Sequence, residues 1–148
     1  MSDTSWDANR EYFRRDQRDG VSPPDLTKDC TFAEHIVHAR GKRTRFTSIS
    51  LDLTKIKDFG DTDYRLERQK LPEDQHELVE HESLVMELRR VIREGEKAER
   101  LRAVQALRYA SKRKEGLVNW SFDITPVPRK DLLSWARARV QSYFTRLR

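Results

Sequence analysis

Two kinds of hydrophobic spacing alternate along this chain, and the alternation restricts its fold more than any other property. In RFTSISLD, residues 45–52, Phe46, Ser48 and Ser50 alternate with Thr47, Ile49 and Leu51. That is the two-residue period of a strand, with small hydroxyls on one face and an apolar row on the other. Residues 114–124 return to the same period, with Val118, Trp120, Phe122 and Ile124 alternating with Leu117, Asn119, Ser121 and Asp123 before Pro126 and Pro128 end the run. Between these stretches the spacing becomes helical. Leu84, Val85, Leu88, Val91 and Ile92 share a face, the pattern pauses at Gly95, and Leu101, Val104 and Leu107 resume it.

Shorter signals fill in the rest. Tyr12 and Phe13 begin a short strand that gives way to Asp19-Gly20 and Pro23-Pro24. Thr31 followed by Glu34 is a capping box, which predicts a helix over 32–40 stopped by Gly41. Asp52 or Thr54 then caps a second short helix that holds Ile56 and Phe59 and closes at Gly60. A strand is expected over 64–69, with Tyr64 and Leu66 on one face. Asp131 caps a last helix whose apolar stripe runs from Leu132 through Trp135, Ala136 and Val140 to Leu147. Interspersed strands and helices of this kind predict an α+β fold, with helices peripheral to a small sheet. With 148 residues and 36% hydrophobic residues there is material for one modest core, so residues 1–10 are expected to be flexible and 11–148 to form one domain.

Charge narrows the partners only slightly. The chain is 37% charged, yet 30 basic residues against 25 acidic leave +5, so the signs are mixed along most of the length. From residue 129 onward, Arg129, Lys130, Arg137, Arg139, Arg146 and Arg148 stand against Asp131 alone, so the tail carries the net charge. The single cysteine, Cys30, allows no intrachain disulfide and is compatible with a reducing compartment. Neither a signal peptide nor an apolar run near eighteen residues is present, so the expected location is cytoplasmic, with no membrane partner and with non-classical export or delivery left open.

Most catalytic signatures are missing: no GxxxxGK[ST], GxGxxG, GxSxG or CxxC occurs. His35 and His38 lie three apart and His76 and His81 five apart, whereas a zinc helix needs i and i+4. No metal site is therefore expected, and the histidines read as surface or structural residues. Arg40, Lys42, Arg43 and Arg45, and later Lys112, Arg113 and Lys114, could contact phosphates, although charge runs in such a chain are mostly solvated faces. Ser48 and Ser50 suit a crevice where hydroxyls hold a polar ligand, the plainer alternative being an edge strand with one solvated face. A nucleophilic serine lacks any accompanying base motif.

One resemblance joins these fragments. YFRRDQR, then a helix ending in a histidine segment, then RFTSISLDLTKIKDFG, and finally ASKRKEGLV resemble the ordered motifs of ADP-ribosyltransferases, in particular toxin-type domains of the Arg-Ser-Glu class. The likeness spans about residues 12–124. It implies an α+β fold built on a small split sheet, mixed or antiparallel, and an enzyme that uses NAD as a substrate, without a metal, and moves ADP-ribose to a macromolecular acceptor, protein or nucleic acid. By the same resemblance Arg14 would grip the NAD phosphates and ribose, Ser48 and Ser50 with Thr47 beside them would brace the nicotinamide pocket, and Glu115 would be the catalytic carboxylate. Phe59 or Tyr64 would supply an aromatic for nicotinamide. A guanidinium suits phosphate bidentately, and a carboxylate near the ribose favours the positive charge that develops as the glycosidic bond loosens. Two alternatives remain: an NAD glycohydrolase, and a catalytically silent basic domain that binds nucleic acid or an acidic protein. The chain departs from many family members two residues before the catalytic position, where Arg113 replaces the usual Glu or Gln.

Overall fold

A computed structural model describes residues 10–38 and 43–148; the expected flexible start, the Gly41 stop, and Arg40 and Lys42 of the first basic patch lie outside the described residues. Ten regular elements follow in the order β1 (Phe13–Asp16), α1 (Phe32–His38), β2 (Phe46–Ser50), β3 (Thr62–Leu66), β4 (His76–Val79), α2 (His81–Glu94), α3 (Lys97–Arg113), β5 (Glu115–Trp120), α4 (Leu132–Gln141) and β6 (Phe144–Arg146). The fold is α+β. Its six strands form one sheet in the order β4-β5-β2-β1-β3-β6, and every pairing is antiparallel, so the parallel component allowed for in a mixed sheet is absent among the described residues.

Strand alternation delivers one apolar row to each face of the sheet, and each row is covered separately. On one face Phe46, Val79 and Leu117 pack against Ala33 and Ile36 of α1, Leu84 and Leu88 of α2, and the alanines of α3. On the other, Ile49, Tyr64, Leu66, Val118 and Trp120 pack against Ala136 and Val140 of α4 and against Tyr143. Trp120 stacks between Phe122 and Tyr143, with centroids 5.3 and 5.6 Å away. Helix α3 does not bury the Leu101–Val104 face expected from its spacing: Leu101 is 65% exposed and Val104 43%. Its inner seam is Ala103, Ala106 and Ala110, all fully buried, because small side chains at i, i+3 and i+7 let three helices share one sheet face closely.

Local chemistry sets most of the ends. Thr31 Oγ1 accepts from the Glu34 N–H at 3.1 Å while Glu34 Oε1 accepts from the Thr31 N–H at 2.9 Å, a complete capping box at the start of α1. Asp52, not Thr54, is the cap after β2, and what it caps is a single 3₁₀ turn, Leu53–Lys55, so the expected helix does not reach Phe59. Gly60 has φ +63°, and a Cβ there would lie 2.3 Å from the Asp16 carbonyl oxygen, so only glycine lets the two segments approach. The expected strand over 64–69 runs instead over 62–66 and is followed by a 3₁₀ turn at Arg68–Lys70. The helix that carries the Leu84–Ile92 pattern begins at His81, directly after residues 76–79, which form edge strand β4 paired with β5. The last helix ends at Gln141, not near 147; beyond it β6 pairs with β3, matching Leu66 to Phe144. No described helix is long and apolar enough to cross a membrane.

Candidate active site

Between β1 and β2 the sheet is almost divided. The two strands share one register pair, Phe13↔Ser50, whereas β2 and β5 match over five and β1 and β3 over four. A split of the kind the resemblance implies would fall here, although the six strands form one sheet. The sparse pairing leaves the Ser48 carbonyl to accept from a side chain, Arg14 Nη1 at 2.8 Å.

Glu115 reaches the same seam from the other side. Helix α3 ends at Lys114 in the left-handed conformation, φ 52° and ψ 45°, and β5 starts at the next residue. A lysine in that conformation costs about 1 to 2 kcal/mol relative to ordinary backbone. The turn places the Glu115 side chain beneath the helices, where it is only 3% exposed. His81 Nδ1–H donates to the Glu115 carbonyl at 2.7 Å and holds the backbone there.

A directed chain of hydrogen bonds ends on this carboxyl. Ser48 Oγ–H donates to Glu115 Oε2 at 2.7 Å. The serine oxygen must then accept from His35 Nε2, 2.8 Å away, which makes the histidine the Nε2–H tautomer. His35 Nδ1 accepts from Thr44 Oγ1 at 2.6 Å, and Thr44 Oγ1 in turn accepts from the Phe46 N–H at 3.2 Å. A main-chain N–H can only donate, so the polarity runs one way, from Phe46 through Thr44, His35 and Ser48 to Glu115. Burial holds the imidazole neutral, its pKa lowered to about 4, with the Arg14 charge acting in the same direction.

The second carboxyl oxygen, Oε1, is buried and has no hydrogen-bond partner among the described residues; Arg113 Nη1 lies 4.0 Å from it. Burial pushes the Glu115 carboxyl above the usual carboxylate range, against the opposing pull of Ser48, Arg113 and Arg14. Arg14 is held on its far side by Asp16, Nε to Oδ2 2.8 Å. Burial alone would raise the Asp16 pKa, but Arg14 and the N–H groups of Ser22 and Gln17 outweigh it and keep the carboxyl below its ordinary value. The ion pair with Asp16, the plainer reading of Arg14, is thus present and orients the guanidinium toward the seam. A fixed cation, a hydroxyl and a carboxyl with one uncommitted oxygen can hold an anionic group beside an alcohol, or oppose a positive charge formed between them.

The remaining residues expected at the site divide differently. Ser50 is 1% exposed and is spent on backbone: it donates to the Arg113 carbonyl at 2.6 Å and accepts from the Asp52 N–H at 3.0 Å, tying the loop after β2 to the end of α3. Thr47 lies on the opposite face of the sheet and accepts from Trp120 Nε1 at 2.8 Å, so it is a core hydrogen bond and not a pocket residue. Tyr64 is 1% exposed and donates its hydroxyl to the Gln17 carbonyl at 2.7 Å, which removes it as a stacking platform. Phe59 is 40% exposed and sits at the rim, its ring 4.8 Å from the Arg113 guanidinium, which has Tyr109 at 4.8 Å on another side. His76 donates to the Pro72 carbonyl at 2.6 Å, a structural role. His35, read from the sequence as surface or structural, is structural: it is buried and bonded to Thr44 and Ser48, which sets it against the candidate site. The available signal was that Phe32, Ala33 and Ile36 bury the same turn of α1. No group of three metal-ligating side chains occurs among the described residues.

Comparison of the chain with models of known families, with curated proteins and with solved structures finds no match.

Proposed function

We propose that the chain is an NAD-dependent ADP-ribosyltransferase that moves ADP-ribose from NAD to a macromolecular acceptor. One observation carries the reading: Arg14, Ser48 and Glu115, separated by 34 and 67 positions, are joined through two 2.7 to 2.8 Å hydrogen bonds at the seam between β1 and β2. In this account Arg14 holds the NAD diphosphate, for which a braced planar guanidinium is suited. Glu115 accepts a hydrogen bond from the 2′-hydroxyl of the nicotinamide ribose through its uncommitted oxygen and stabilises the oxocarbenium charge that grows as the glycosidic bond breaks. Nicotinamide leaves with the bonding pair, which neutralises its ring, and an acceptor nucleophile attacks the opposite face of the ribose and gives up its proton. Ser48 and His35 keep the carboxyl turned toward the reacting carbon. Phe59 is the one aromatic of the two considered that is exposed to a ligand ring. A lone cysteine and consumption of NAD suit a cytoplasmic setting.

Calorimetric titration with a non-hydrolysable carba-NAD and a transfer assay with labelled NAD test the reading. Glu115→Ala is expected to abolish transfer while leaving binding within a few-fold, and Arg14→Ala to weaken binding itself. Folded protein that neither binds the dinucleotide nor consumes it rejects the proposal. Release of free nicotinamide without any labelled macromolecule assigns water as the acceptor and makes the chain a glycohydrolase.

A further inference from the structure

The two bonds that Ser50 makes to Asp52 and to the Arg113 carbonyl hold the loop after β2 alongside the last turn of α3. Between these segments runs an open groove of about 540 Å³. Lys55 and Lys57 line one wall and Lys112 and Lys114 the other, with Asp58 as the single acid. The arginines at 10, 14, 15, 65, 68 and 90 are all within ion-pair distance of a carboxylate. None of the described lysines is so paired, these four included, and Lys55 and Lys114 lie near enough to Asp52 to help lower its pKa. Favourable placement at the C-terminus of α3 accounts for Lys112 alone or Lys114 alone, but not for two more ammonium groups brought from a separate segment to face them. Adjacent in sequence to the lining residues, though not itself lining the groove, Arg113 has its guanidinium 4.8 Å from the Phe59 and Tyr109 rings and 4.0 Å from Glu115 Oε1.

We infer that this groove binds a single-stranded nucleic acid and presents it to Glu115 as the ADP-ribose acceptor; the acceptor role rests on the NAD-dependent reading. Opposed rows of unpaired lysines suit the repeated phosphates of a strand. The exposed Phe59 ring with its stacked guanidinium offers a face to an unpaired base, which an acidic protein surface does not supply. A duplex is excluded as the stacking partner because its bases are already stacked on one another.

The test is fluorescence anisotropy with fluorescein-labelled oligo-dT and oligo-U strands, on the full chain and on the double variant K55E/K112E. Both positions are exposed and take one lysine from each wall, and circular dichroism verifies that the variant is folded. The expected result is at least about a tenfold loss of strand affinity, with the slope of log affinity against log salt shallower by about 1.4, roughly 0.7 per lost phosphate contact. Affinity within twofold of wild type overturns the inference, and so does a labelled polyglutamate that binds as tightly and loses as much. The KM for NAD in nicotinamide release is expected to stay within twofold; a tenfold rise would show that the lysines hold the dinucleotide and would overturn it as well. If the wild-type chain neither binds carba-NAD nor releases nicotinamide, yet K55E/K112E still loses the strand, the NAD reading fails and the groove stands as a strand-binding site.

Discussion

His35 gives the sharpest physical test of the site, because its environment dictates a protonation state and that state has a measurable consequence. In the folded chain its pKa is lowered from 6.5 to about 4, so the native state resists the proton that the unfolded chain accepts. A histidine depressed in this way contributes its full stability above the unfolded value and loses it as pH falls from there toward the folded value. Acidification from about pH 7 to about pH 5 removes about 2 kcal/mol, and the loss approaches about 3 kcal/mol once the pH lies below both values, at 1.36 kcal/mol per unit. Glu115 works in the opposite sense: its raised carboxyl favours the native state at low pH and loses that advantage as pH climbs through the folded value. The His35 contribution is therefore isolated as a difference between wild type and His35→Gln. Glutamine keeps a donor and an acceptor near Ser48 and Thr44 but does not titrate. Urea unfolding of both proteins at several pH values should give curves whose separation shrinks by about 2 kcal/mol across that interval. A separation that does not change with pH would mean His35 titrates alike in both states, and the one-way hydrogen-bond chain would be wrong. Long-range ¹⁵N correlation spectra offer an independent check, since they should report the Nε2–H tautomer.

Two other expectations concern the same scaffold. Glu115→Gln removes a buried charge while retaining an acceptor for Ser48, so the variant should gain stability relative to wild type as pH rises above the ordinary carboxylate range, while losing transfer activity; thermal melts at acidic and neutral pH measure the sign, and equal shifts at both refute it. Gly60→Ala should cost at least about 2 kcal/mol, combining left-handed backbone with a Cβ driven onto the Asp16 carbonyl, and a denaturant midpoint unchanged from wild type would contradict the close approach.

Legibility in the sequence followed how much of each element was written in local chemistry. The alternation at 46–50, the Thr31–Glu34 capping box and the pause at Gly95 all act within a few residues, and each corresponds to a boundary or a strand. Strands β4 and β6 were missed because they are four and three residues long and lie at the two edges of the sheet, where pairing with a distant neighbour decides the conformation and no period can develop. The α3 seam was misread because alanines carry little apolar weight in a pattern but pack closest in space. At the site, it was the resemblance to ADP-ribosyltransferase motifs that grouped Arg14, Ser48 and Glu115. It did not reveal that Thr47 and Tyr64 turn into the α4-side core, because hydroxyl and ring chemistry is the same whether the partner is a ligand or Trp120 Nε1. The position of His35 against the site escaped for the converse reason: its partners lie nine and thirteen residues away and come within reach only when α1 packs on the sheet.

The single register pair joining β1 to β2 leaves the apolar layer on the α4 side to carry most of the connection across the seam. Arg14 is mounted on one side of that seam and Ser48 and Glu115 on the other, and Tyr12 and Tyr64 of the first side share one apolar layer with Ile49, Val118 and Trp120 of the second. A cross-link spanning Phe13–Ser50 would accordingly lock the spacing of the guanidinium and the carboxyl.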